Sequence, residues 1–252
     1  MHLTPVCARM PAFLVYFMYY IALVVVAAAV MEFLLLPIYI RLKNNKKYAP
    51  AKMAVKASMT FIAFALALHG ILKLWTETRD INNLVTGTGM KTSILLPVGL
   101  FVCMVADVVL CVSFKYGMLL FLCGHICYIA YFIVIGGFSL LSLPFLVAGV
   151  AGMSLYFGRY TRKEGRMFFL YTIYGAVIMI TLSTGIVLPV RLHEYGVLPA
   201  LASVMLVVSD IMLGLNRLRK TRRIADLMYL GYYFTGQFFL GLSVFAPVML
   251  GI

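Results

Sequence analysis

The chain has 252 residues, of which 64% are hydrophobic and 12% are charged, and its mean hydropathy is +1.03. This composition excludes a water-soluble globular domain, because so few polar residues cannot cover the surface of a domain of this size. The net charge of +13 does not indicate a nucleic-acid-binding domain, since the basic residues lie in short loops between long apolar runs. We therefore predict a membrane protein with no nucleic-acid partner.

Eight apolar segments are close to the length of about 20 residues that a helix needs to cross a bilayer. They are continuously apolar rather than alternating, which favours helices over a membrane barrel. We predict an all-α polytopic membrane protein that forms a single helical domain over residues 1–252, with its N-terminus outside. The predicted spans are residues 12–40, 52–72, 93–113, 118–135, 140–157, 167–188, 197–215 and 227–250.

Two features of the chain order refine this topology. The first apolar segment is followed by a basic cluster at residues 41–47, the reverse of the charge order in a cleaved signal peptide, so we predict a retained helix. The third and fourth spans are separated only by the short stretch "FKYG" (residues 114–117), which we interpret as a hairpin link between antiparallel helices.

The Lys and Arg residues are distributed unevenly over the predicted loops. Most of the 21 fall in the loops after the first, third, fifth and seventh spans. By the positive-inside rule this asymmetry places those loops in the cytoplasm. We expect them to lie near anionic lipid headgroups, at the inner (plasma) membrane of a bacterium.

Ionisable residues inside the predicted spans are candidates for a functional site, because charges in hydrocarbon are rare and usually functional. At a rise of about 1.5 Å per residue, Asp210 lies about 10 Å from Arg217 and Asp107 about 12 Å from Lys115. Glu32, Lys56 and His125 lie at overlapping depths in the same half of the membrane, although structural ion pairs, such as Lys56 with an aspartate, would also account for some of them. His69 is also inside a span, but it lies near the outer end of its helix.

Uncharged polar residues share helix faces at similar depth. In the last span, Tyr229, Tyr233, Gln237 and Gly241 are spaced by four, so they lie on one face. Two pairs spaced by three behave likewise, and they consist of His125 with Tyr128 and Tyr171 with Tyr174. Core or interfacial packing explains a single tyrosine better than a functional site does, whereas a glutamine in mid-membrane favours a site.

Several familiar chemistries lack the residues they need. The four histidines do not supply three converging metal ligands, and the cysteines of the apolar helices are more typical of packing. No Gly-x-Ser-x-Gly turn and no phosphate-binding glycine loop is present. We therefore predict no metal and no cofactor, and the remaining chemistry is that of paired carboxylates.

The sequence around these carboxylates resembles that of a known family. The stretches "GLFVCMVADVVLCVSFKYGMLLFLCGHICYIAYF" (residues 99–132), "PALASVMLVVSDIMLGLNRL" (residues 199–218) and "YYFTGQ" (residues 232–237) are similar to the YhhN-like membrane proteins, the lysoplasmalogenase family. The family pattern contains an aspartate, a His…Tyr pair, a Ser-Asp…Asn and a final Tyr…Gln, in this order.

The resemblance assigns individual residues to that pattern. Asp107 and Asp210 fall on the two aspartates, which it implies are catalytic. Two positions depart from the pattern: Ala106 replaces a glycine and Ala57 replaces the proline of a Lys-Pro pair. The residues expected to orient substrate or water, including Tyr174 from its shared face, are Lys56, His125, Tyr128, Tyr174, Ser209, Asn216, Tyr233 and Gln237.

The resemblance implies hydrolysis of the vinyl ether bond of 1-alkenyl lysoglycerophospholipids with choline or ethanolamine heads, giving a fatty aldehyde and a glycerophospho-base. One neutral carboxyl group would protonate the substrate carbon, and an ionised one near Lys56 would stabilise the resulting cation. We expect Asp210 to be the donor and Asp107 the ionised partner. Two other classes remain open: a transporter or lipid-binding protein that uses the carboxylates for a cation or proton, and a hydrolase of other lysolipids.

Overall fold

A computed structural model describes residues 6–42, 49–78, 94–161, 167–219 and 223–250 of the chain. Within these ranges the protein is helical, with one short π-helical segment, Val30–Leu35, between the first two helices. The helices are α1 Val6–Ala29, α2 Leu36–Leu42, α3 Ala49–Thr78, α4 Leu95–Val112, α5 Phe114–Gly136, α6 Ser142–Thr161, α7 Met167–Ile186, α8 Leu188–Leu192, α9 Glu194–Arg219 and α10 Arg223–Leu250.

Six helical stretches among the described residues are long and apolar enough to cross a membrane. α6 contains a shorter apolar stretch, Ser142–Leu155, and α10 covers the eighth predicted segment. The all-helical class is therefore as expected, while the count of eight spans and the outside N-terminus stay predictions. The six stretches are Met18–Leu42, Ala49–Lys73, Leu95–Val112, Phe114–Gly136, Phe168–Leu192 and Glu194–Asn216.

Six of the helices form a closed ring. In the order α3, α4, α5, α7, α9 and α10, each helix packs against the next, and α10 packs back onto α3. α6 packs on the outside of this ring against α7, and the segment from α1 to α2 lies against α3 and α10. The arrangement leaves an interior that is walled on all sides by helices.

The interior of the ring is a mainly apolar core that also contains a small group of polar side chains, and many apolar side chains are exposed on the outside, as expected for a bundle whose solvent is lipid. Apolar residues such as Phe33, Val112 and Leu155 are largely exposed. The helices approach closely through small residues: a side chain at Gly124 of α5 would collide with Cys103, and one at Gly99 of α4 would collide with the Tyr128 ring. The buried polar residues that the ring encloses include Lys56, Thr60, Asp107, His125 and Gln237.

The interpretation of "FKYG" as the hairpin link is wrong. These four residues form the first turn of α5, and the chain reverses at Ser113 alone, which has extended backbone angles (φ −140°, ψ 115°). The amide of Ser113 donates to the Val109 carbonyl and its own carbonyl accepts from Gly117, so this one residue ends one helix and begins the next. Gly117 in this stretch does not have a positive φ, and its lack of a side chain lets α5 pack closely against Leu110.

Candidate active site

The first carboxylate of the interior, Asp107 on α4, is bound on both oxygens. Its Oδ1 lies 2.9 Å from Nζ of Lys56 on α3 and has no further partner among the described residues. Its Oδ2 accepts hydrogen bonds from the hydroxyl groups of Thr60, at 2.5 Å, and Tyr233, at 3.0 Å. A charged partner and two hydroxyl donors are the contacts that an ionised carboxylate needs when it is removed from water.

This pair is enclosed by the ring. The Asp107 side chain is 0% exposed and that of Lys56 is 5% exposed. The ammonium group of Lys56 also lies 5.9 Å from the centroid of the Phe121 ring, whose edge-on neighbour is Tyr233. The buried ion pair thus joins α3 to α4, and the hydrogen bond from Tyr233 joins α10 to the same carboxylate.

The second carboxylate, Asp210 on α9, has a histidine as its partner. Its Oδ2 lies 3.1 Å from Nε2 of His125 on α5, and the side chain is 8% exposed. The other ring nitrogen of His125, Nδ1, lies 3.2 Å from the hydroxyl oxygen of Thr181 on α7. Residues from three helices of the ring therefore form a chain of polar contacts that ends at a carboxyl group.

Aromatic rings and one amide separate the two carboxylates. The hydroxyl group of Tyr128 donates to Oε1 of Gln237 at 2.6 Å, which joins α5 to α10 across the interior. The His125 ring meets Tyr128 and Tyr174 edge to face, at centroid separations of 5.9 and 6.0 Å. These contacts favour one orientation of the imidazole, because each T-shaped pair favours a fixed angle.

Asp210 also lines a cavity of about 240 Å³ between α6, α7 and α9. α6, which forms one wall of this cavity, packs outside the ring, and Asp210 both lines the cavity and contacts His125. Asp210 is the carboxyl group among its lining residues. These are Val150, Met153, Ser154, Gly158, Phe168, Tyr171, Thr172, Tyr174, Gly175, Ala176, Ile178, Asp210 and Gly214.

The cavity extends toward one end of the bundle. Gly158 lies near the end of α6, Phe168 near the start of α7 and Gly214 in the last part of α9, so all three lie at the same end. Asp210 is about 6 Å deeper than Gly214, by the rise of a helix. The basic loops of residues 162–166 and 220–222 follow these helix ends in the sequence and lie outside the described residues.

The other predicted site residues lie at the edge of this arrangement. The hydroxyl group of Ser209 donates to the backbone carbonyl of Tyr229 at 2.7 Å, so it fastens α9 to α10 and does not line the cavity. Asn216 is partly buried on α9. Glu32, in the π-helical segment, accepts a hydrogen bond from Thr235 of α10 at 2.7 Å, and His69 is exposed beside Phe245.

Two residues that contact the predicted site residues, Thr60 and Thr181, were not predicted from the sequence, although their spacing could have indicated both. Thr60 follows Lys56 by four residues and Thr181 follows Tyr174 by seven, so each lies on the face of a residue already chosen. Among the described residues, no three His, Cys, Asp or Glu side chains are grouped closely enough to hold a metal ion.

Comparison with known proteins identifies the chain's relatives at the level of the family. No curated protein and no solved structure matches the chain. The model of the YhhN family matches residues 51–244, a region that contains α3 to α9 and most of α10, and with them both carboxylates and their partners. With this match over more than half of its length, the chain belongs to the YhhN family.

Proposed function

We propose that this protein is a lysoplasmalogenase, which hydrolyses the vinyl ether bond of 1-alkenyl lysoglycerophospholipids. One observation carries the proposal: a carboxyl group that is hydrogen-bonded to a histidine, Asp210, lines a cavity between helices in the apolar part of the protein. A vinyl ether is cleaved by an acid, and a lipid reaches such an acid without leaving the membrane.

The chemistry needs one proton and one water. The acid at Asp210 gives a proton to the β-carbon of the vinyl ether, and the electron pair of the double bond forms the new C–H bond. The resulting oxocarbenium ion takes up water at the α-carbon, and the water returns a proton to the Asp210 carboxylate, which gives a hemiacetal. The C–O bond to glycerol then breaks while the proton of the hemiacetal hydroxyl group is transferred to the glycerol oxygen, so that a fatty aldehyde and a glycerophospho-base leave.

Asp107 has a different role in this proposal. Its oxygens are engaged by Lys56, Thr60 and Tyr233, and it does not line the cavity. We assign it as an ionised positioning residue that holds α3, α4 and α10 together around the interior. The neutral ion pair it forms also leaves Asp210 without a lysine partner among the described residues.

The size of the cavity fits part of a lysolipid. Its volume of about 240 Å³ is slightly below the range of about 300–1,000 Å³ that is usual for pockets enclosing a whole small ligand. We propose that the cavity holds the glycerol and the vinyl ether, while the alkyl chain continues into the surrounding hydrocarbon. The phosphate would then lie toward the basic loops at the end of α6 and α9.

The test is an assay of the purified protein with alkenyl, alkyl and acyl lysolipids that carry the same headgroup. We expect aldehyde only from the alkenyl lipid, and a loss of about 10²–10⁴-fold in Asp210→Asn, because general acid catalysis contributes that much. Glu194→Gln, which removes an exposed carboxylate at the start of α9, is the matched control and should keep full activity. Fatty acid release from the acyl lipid, or normal turnover by Asp210→Asn, would overturn the proposal.

A further inference from the structure

We infer that His125 and Asp210 share one exchangeable proton, and that this pair, rather than two separate aspartates, is the acid of the site. The inference deepens the proposed function and rests on it only for the substrate. It follows from the hydrogen bonds around His125 and from the charges of the described interior, which are independent observations.

The hydroxyl group of Thr181 fixes the proton on one ring nitrogen. Its oxygen lies 3.1 Å from the Val177 carbonyl, to which it donates its single proton. This bond to the carbonyl four residues earlier is the usual one for a threonine in an apolar helix. The same oxygen lies 3.2 Å from Nδ1 of His125, so it is left to act as an acceptor there. On this assignment of the hydroxyl proton, Nδ1 carries a proton.

The second ring nitrogen then needs a proton from elsewhere. A neutral histidine with Nδ1 protonated has a bare lone pair on Nε2, which lies 3.1 Å from Oδ2 of Asp210. Two acceptors repel each other at this distance unless a proton lies between them. The pair is thus either an imidazolium with a carboxylate or an imidazole with a carboxylic acid, and both forms contain one more proton than neutral histidine with ionised aspartate.

The charges of the described interior also indicate that His125 and Asp210 share one proton. Lys56 already neutralises Asp107. If His125 were neutral and Asp210 ionised, the second pair would carry a net negative charge in an apolar setting, where an uncompensated charge is very unfavourable. With the shared proton, both pairs are neutral.

No other described charge faces the imidazole. Its ring neighbours are Tyr128 on its own helix and Tyr174 from α7, and Gln237 from α10 reaches Tyr128. These groups are uncharged in an apolar interior. The number of protons on His125 and Asp210 therefore depends only on these two side chains. Thr181 acts through His125 and is a positioning residue.

One pair can then serve both halves of the reaction. When the shared proton moves to the substrate carbon, His125 becomes neutral and Asp210 stays ionised, so the pair gains a net negative charge beside the new oxocarbenium ion. The water that adds to the cation returns a proton to the pair. The second carboxylate, Asp107, does not take part in the transfer, and the proton balance closes within the pair and the water.

The test is NMR of the full-length protein in lipid, with histidine isotopically labelled at its ring nitrogens. The chain has four histidines, and His125→Gln removes the signal that belongs to His125. We expect Nδ1 of His125 to carry a proton. A bare Nδ1 with a proton only on Nε2 would overturn the inference, whether or not the protein is active.

Two variants of Thr181 distinguish the effect of losing its hydrogen bond from an effect on folding. Thr181→Val keeps the shape and removes the hydroxyl group, and we expect it to shift the His125 ring signals and to lower aldehyde release at least tenfold. Thr181→Ser keeps the hydroxyl group, so its His125 ring signals and its aldehyde release should match those of the unsubstituted protein. Unchanged ring signals in Thr181→Val would contradict the inference. A protein with the expected signals that releases no aldehyde would instead count against the proposed function alone.

Discussion

Asp107 accepts hydrogen bonds from two hydroxyl groups and lies against the ammonium group of Lys56, whereas Asp210 lies between His125 and a cavity. At the scale of the residue, the environment therefore distinguishes two aspartates that the sequence presents as equals. Asp107, whose oxygens are engaged by other side chains, is suited to stabilise the packing of the helices. Asp210, which a molecule in the cavity can contact, is suited to catalysis.

We expect the ion pair of Lys56 and Asp107 to contribute to the stability of the fold. Lys56→Met leaves a buried carboxylate without its cation, and we expect a loss of about 3–5 kcal/mol in the free energy of unfolding. Lys56→Met/Asp107→Asn removes both charges and keeps an oxygen that accepts from Thr60 and Tyr233, so it should recover a large part of that loss. Thermal unfolding of the purified variants measures both. A double variant as unstable as the sum of its single changes would show that the charges do not act as a pair.

The sequence reveals candidate residues better than it reveals their partners. An aspartate in an apolar run is visible as an anomaly, and spacing by four gathers Tyr233 with Gln237 on one face. The pairing of His125 with Asp210 joins residues 85 positions apart, and that of Lys56 with Asp107 joins α3 to α4. Such contacts depend on which helices are neighbours in the ring, and a single sequence does not contain that information.

At the scale of the element, α6 is the helix that makes the cavity. It packs outside the ring on α7, and a small cluster of Ile178, Met179 and Val207 holds it there with Leu146, Val150 and Met153. A side chain at Gly149 would collide with Met179, so this glycine brings the two helices into contact. Further along α6, toward the basic loop, the helices part and the cavity opens.

Two glycines of α6 provide a matched test of the cavity. A Cβ atom at Gly158 or at Gly152 would meet no atom within 4 Å, so both positions have room for the start of a side chain, but of the two only Gly158 is among the residues that line the cavity. We expect Gly158→Leu to raise the KM for alkenyl lysolipid at least about tenfold, since a misfit of even one methylene in a pocket costs about 1–3 kcal/mol. Gly152→Leu should leave KM unchanged. Equal effects of the two substitutions would place the substrate elsewhere.

Element boundaries show where reasoning from sequence stops. The apolar runs mark the helices well, since each predicted segment overlaps an observed helix. The turn at Ser113 was placed too late, because "FKYG" contains the polar and small residues of a typical link yet continues the helix. The π-helical segment that carries Glu32 had no signal in the apolar pattern, since its residues are as hydrophobic as those around them.

At the scale of the whole molecule, the ring of six helices explains why charge is tolerated in so apolar a chain. Each of the two described ion pairs is enclosed or placed at the ring wall, and the outer surface that faces lipid is rich in exposed apolar side chains. The class of the fold followed from the composition and the continuous apolar runs. The closed order of the helices did not, because it depends on packing between faces that are all hydrophobic.

The central claim is that the protein cleaves a vinyl ether by giving a proton to carbon. It is tested most directly by running the reaction in heavy water and trapping the aldehyde at once, before it exchanges. We predict one deuterium atom at the carbon next to the aldehyde group, and no product above background from Asp210→Asn or without protein. An aldehyde that carries no deuterium would contradict the account, because its bond would have been broken without proton transfer to that carbon.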